Sequence, residues 1–133
     1  MADRLTTEEV ARVAEFRAAL RRFLRTTERN ARSAGLTPQR YLLLLMIKGA
    51  PDGSEQSTVT ELAERLQLAQ STVTELVRRA EETGLVEREQ SASDGRVAHL
   101  RLTPEGDRRL MRAFTSNEQE RQELRAAIAH IED

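Results

Sequence analysis

Ten consecutive residues, 70–79, hold a dense set of hydrogen-bonding side chains: Gln70, Ser71, Thr72, Thr74, Glu75, Arg78 and Arg79. Placed on a helix, Val73, Leu76, Val77 and Ala80 share one apolar face. That leaves Gln70, Ser71, Thr74, Glu75 and Arg78 outward, with Thr72 and Arg79 flanking them. Side chains of these types can read flat polar edges. Arg pairs bidentately with guanine, Gln with adenine, and the hydroxyls bond phosphates or bases. A carboxylate such as Glu75 repels phosphate but accepts from the cytosine amine. The same polar residues also line any solvated amphipathic helix, so their meaning depends on the surrounding elements.

A second group follows at once. Residues 85–88 form a short apolar-led strand, and residues 96–102 alternate, with Ala98, Leu100 and Leu102 on one face and Val97, His99 and Arg101 on the other. The polar stretch 90–95 joins them as a hairpin loop. Arg88, Asp94, Arg96 and His99 sit on this hairpin. Asp94 and Arg96 make either a plain surface ion pair, worth ~0–1 kcal/mol, or an arginine held ready at a loop tip. His99 is read as a surface residue of the strand, within reach of phosphate.

Other chemistry does not assemble. With no Cys there is no disulfide, thiol switch or Cys-ligated metal. His99 and His130 stand far apart with no ligand motif around either, and no glycine-rich phosphate loop or nucleophile elbow is present. The expectation is no catalysis, no metal and no cofactor.

The elements that must position these groups are mostly helical. Thr6 and Glu9 make a capping box, with Leu5 and Val10 placed as a hydrophobic staple. Val13, Phe16, Leu20, Phe23 and Leu24 then recur at helical steps until Gly35, which suits a left-handed C-terminal position. Thr37-Pro38 starts a second helix, apolar throughout residues 41–47, which the loop 49–53 ends. Thr58 and Glu61 cap a third helix, residues 67–69 form a turn, and a fourth helix over 70–83 ends at Gly84-Leu85. Ala69 offers no side-chain cap to that helix, and Ser71 could cap a later start. Thr103-Pro104 opens a fifth helix with Leu110, Met111 and Phe114; Ser116-Asn117 breaks it before a last helix bearing Leu124, Ala127, Ile128 and Ile131.

The chain has 133 residues and a formal charge of −1, in keeping with one domain spanning 1–133. The charge is uneven. Residues 12–40 carry eight Arg against Glu15 and Glu28, whereas residues 41–87 are acidic. Arg17, Arg21, Arg22, Arg25, Arg29 and Arg32 form a solvated face on the first helix, some pairing with the acidic region or with a second chain. No apolar run approaches the ~18 residues needed to span a bilayer, and residues 1–10 lack a signal peptide's apolar stretch. The chain is expected to be soluble and cytoplasmic, with no membrane partner.

Two short helices joined by a tight turn and followed by a hairpin make a winged helix-turn-helix, mainly α with a small β-hairpin wing. Residues 62–66, 71–74 and 82–88, together with Asp94-Gly95-Arg96 and Thr103-Pro104-Glu105-Gly106, resemble the MarR family of bacterial transcriptional regulators. The resemblance covers about residues 36–106, the winged-helix part, and leaves 6–34 and 107–133 as dimerisation helices. It implies a homodimer on a roughly palindromic duplex operator, usually a repressor relieved by a small ligand. Carried onto this chain, Arg96 would enter the minor groove, oriented by Asp94. Val13, Leu20, Leu124, Ile128 and Ile131 would serve the dimer. Phe16, Phe23, Tyr41, Leu45 and Phe114 would border a ligand pocket or simply form core. Only nine residues separate Gly106 from Ser116, so the fifth helix is shorter than the family's usual one. A different class of answer is a winged helix that binds another regulator protein; the acidic fourth helix favours it, and outward Arg78 with the Asp94/Arg96 wing favours DNA.

Overall fold

The structure, a computed structural model, describes residues 5–90, 95 and 97–132. Its order is α1 (Thr7–Ser33), α2 (Pro38–Lys48), α3 (Val59–Leu66), α4 (Gln70–Glu82), β1 (Val86–Gln90), β2 (Ala98–Leu102), α5 (Pro104–Ser116) and α6 (Glu118–Glu132). This is the expected winged helix-turn-helix order with a long helix at each end. Local sequence explains most boundaries. The Thr6/Glu9 and Thr58/Glu61 capping boxes are both formed, with side chain and backbone satisfying each other. Gly84, at φ 74°, closes α4: its N–H donates to the Glu81 carbonyl at 3.0 Å and that of Leu85 to Ala80 at 2.9 Å.

Three local expectations are corrected. Leu5 and Val10 are 81% and 53% exposed, so no staple covers them within the chain. Helix α4 begins at Gln70 with Ala69 as an N-cap that makes no side-chain bond, so Ser71 lies inside the helix and does not cap it. The first strand starts at Val86 and runs on to Gln90, because Leu85 is used by the helix-ending turn. Ser57, just before α3, also pairs with Leu100 through two backbone bonds, of 3.1 and 2.8 Å. That pairing fastens the segment before α3 to the hairpin.

One core unites the winged-helix part. Leu43, Leu44 and Ile47 of α2 meet Leu62 of α3, Val73, Val77 and Ala80 of α4, Leu100 of β2 and Leu110 of α5. Helix α5 is locked to the end of α4: the Thr103 N–H donates to the Leu85 carbonyl at 3.0 Å and its hydroxyl to the Gly84 carbonyl at 2.6 Å. Helices α1 and α6 pack on each other to one side. Where α5 breaks, Asn117 is 1% exposed; its Oδ1 accepts from Asn30 Nδ2 at 2.6 Å and its Nδ2 donates to Tyr41 Oη at 3.3 Å. This buried network ties α1, α2 and the α5–α6 junction at one point. Among the described residues no helix is long and apolar enough to cross a membrane.

Candidate nucleic-acid interface

The amphipathic pattern of α4 decides what it presents. Val73, Val77 and Ala80 are fully buried, so the helix cannot rotate without exposing them. Gln70, Ser71, Thr72, Thr74, Arg78 and Arg79 consequently point to solvent, and Glu75 is half-buried among them. The seven predicted residues of this helix therefore share one convex face. Gln39, at the start of α2, lines a shallow depression of about 400 Å³ together with Ser71, Thr72, Glu75 and Arg79. Sequence reasoning missed Gln39; its place at the solvent side of a helix start was the only available signal.

The charged groups on this face are not independent. Arg78 donates from Nε to Glu75 Oε1 at 3.0 Å, from Nη2 to Glu75 Oε2 at 2.5 Å, and from Nη1 to Glu82 Oε2 at 2.7 Å. Arg79 Nε donates to Glu75 Oε2 at 3.0 Å. Spacings of three and four residues put these side chains side by side on a helix. Hydrogen bonds from Arg78, then from Arg79, lower the Glu75 pKa to about 2, so its carboxylate stays ionised at neutral and mildly acidic pH. Gln70 Nε2 also reaches Thr60 Oγ1 at 3.3 Å, linking α4 to α3.

The wing residues separate. Arg88 Nε donates to Glu81 Oε2 at 2.9 Å, which ties β1 back to α4. His99 is half-buried on β2, opposite Glu89. Asp94 and Arg96 lie outside the described residues. Among the described residues no group of three or more His, Asp or Glu could hold a metal ion.

With this geometry in place, comparison with known proteins is direct. Residues 34–97, from the end of α1 into the hairpin, match the MarR family. The winged-helix region belongs to the MarR family. The HTH-type transcriptional regulator YsmB of Bacillus subtilis is 28% identical to the chain over 119 residues, 86% of this chain and 79% of its own length. The HTH-type transcriptional repressor MdtR of the same organism is 38% identical over 73 residues, 55% of this chain and 44% of its own. Among solved structures, a mutant MarR from E. coli complexed with operator DNA shares the fold: TM-score 0.67, 20% identity, 92% of this chain and 85% of that one.

The residues expected to line a ligand pocket are spread out. Tyr41 belongs to the core and Leu45 packs against it. Phe114 lies beneath the Arg121 guanidinium, 3.8 Å from its ring centre. Phe23 lines a groove of about 560 Å³ between α1 and α6, bordered also by Arg22, Arg29, Glu123 and His130; Phe16, on the same helix, is half-buried. Of the dimerisation residues, Val13 and Ile128 are exposed, while Leu20, Leu124 and Ile131 are half-buried. The ion pairs made by α1 among the described residues are Arg12–Glu8 and Arg22–Glu15, so within the chain its arginines do not meet the acidic 41–87 region.

Proposed function

We propose that the protein is a transcriptional regulator that binds duplex DNA as a homodimer, with α4 in the major groove and the β1–β2 hairpin directed to the flanking minor groove. The observation that carries this reading is the α4 face: seven polar side chains project from a helix whose opposite side is locked in the core. A helix of this width fits the B-DNA major groove, about 12 Å across. Arg78 is assigned to a guanine and Gln70 to an adenine, and Ser71, Thr72 and Thr74 to phosphates or base edges. Arg88 and His99 on the strands, with Arg96 and Asp94 of the loop, complete the interface at the hairpin. The operator complex of the structurally similar MarR supports a DNA partner, and the similarity to the repressor MdtR supports a repressing role.

The dimer rests on α1. Val10, Val13 and Leu24 are exposed, and with half-buried Leu20 they lie along one stripe of the helix, at spacings of three, seven and four. That stripe is separate from the α6-facing residues Ala19 and Phe23. Relief by a small ligand belongs to the same proposal, with the α1–α6 groove as its place. The experiment is Arg78→Ala measured against a panel of single base-pair changes in a selected site. The expected loss is about 1–3 kcal/mol, confined to one position. An equal loss at every sequence would make Arg78 a phosphate contact and remove it from base reading.

A further inference from the structure

The two arginines best placed to meet DNA are already engaged. Glu75 covers the Nε/Nη2 edge of Arg78, Glu82 takes Nη1, and the second oxygen of Glu75 also accepts from Arg79. The four side chains together carry no net charge, on a helix face offered to a polyanion. Any phosphate approaching Arg78 or Arg79 must compete with a carboxylate one helical turn away that needs no diffusion to arrive. A base pair offers a different exchange. In the major groove, guanine presents two acceptors to an arginine fork, and cytosine presents an amine donor that a carboxylate can accept. Only there can Arg78 and Glu75 leave each other and both find partners.

We infer that Glu75 is the specificity-determining residue of this interface: it holds Arg78 and Arg79 away from phosphates and, at the correct site, accepts the amine of a cytosine beside the guanine taken by Arg78. This rests on the DNA-binding reading above. Two consequences separate it from an ordinary surface ion pair. The carboxylate lowers affinity for DNA of arbitrary sequence, and it adds a cytosine requirement next to the arginine's guanine. Glu82 touches Arg78 but lies a further two turns along from Gln70, so it shares the first effect and not the second.

The test compares the full-length protein with its Glu75→Gln and Glu82→Gln variants. Gln preserves size and helix preference, so both variants are expected to fold. Each protein selects sites from a randomised duplex pool and is then titrated with scrambled duplex across a range of salt. Glu75→Gln is expected to bind scrambled duplex about threefold or more tightly, since it removes a negative charge close to the phosphates. Its log–log salt slope should steepen by about one to two, as released guanidiniums engage phosphates. Its preference for cytosine beside the guanine should fall about tenfold. Glu82→Gln should tighten scrambled binding and keep the cytosine. If wild type selects a site and Glu75→Gln selects the same site with unchanged scrambled affinity, this inference is overturned and the DNA reading stands. If wild type selects no sequence at all, both fall.

Discussion

Gly106 shows how a single atom fixes the placement of α5. A Cβ built there would lie 2.1 Å from the Leu85 carbonyl oxygen, inside any tolerable contact. That carbonyl cannot move easily, because it accepts from the Thr103 N–H where α5 begins. Gly106→Ala should therefore destabilise the fold by about 1–3 kcal/mol, the range for overpacking, as read from urea denaturation. A loss near zero would show that the α4–α5 turn is softer than its hydrogen bonds imply. At this scale the sequence was legible where partners are close along the chain: Thr6 with Glu9, Thr58 with Glu61, Thr103 with Gly106. It was not legible at Asn117, whose partners Asn30 and Tyr41 are more than seventy residues away. Nor did it disclose that Arg78 would have three of its N–H groups taken by Glu75 and Glu82. Spacing brings those residues within reach but does not choose the rotamers.

Element boundaries follow from caps, and α4 is the exception that tests the rule. Its N-cap is Ala69, extended at ψ 148° and making no side-chain bond to the first turn. The helix starts at Gln70 anyway, because burial of Val73 and Val77 fixes its position more strongly than a cap could. Ala69→Ser supplies the missing acceptor without changing the backbone, and Ala69 is exposed, so nothing must move to admit a hydroxyl. The variant should be more stable by about 0.5–2 kcal/mol in thermal or urea unfolding. No gain would mean that the first-turn N–H groups are already well served by water. Helical periodicity made every helix legible, whereas the Ser57–Leu100 pairing was not. A single paired residue carries no alternation to detect.

The whole molecule is a winged helix between two long helices that are only partly satisfied by each other. Helix α1, at 27 residues, is about 40 Å long. It packs α6 with one stripe and leaves Val10, Val13 and Leu24 outside, while Ile128 of α6 stays exposed too. The break at Asn117 keeps α5 short and bound to the winged-helix core. The spacing of two reading helices in a dimer would then be set by α1, α6 and the network at Asn117 rather than by one long fifth helix. The sequence indicated the apolar stripes but could not divide them, since one helix carries both an internal and an external face. The residue assignments above all depend on the proposal that a dimer of this chain reads duplex DNA. It is tested most directly by fluorescence anisotropy of the full-length protein on the duplex upstream of its own gene, with scrambled competitor and increasing salt. Two chains per duplex, binding that survives the competitor and a linear log–log fall with salt are expected. Binding that scrambled duplex removes equally well, with one chain per duplex, would contradict the proposal.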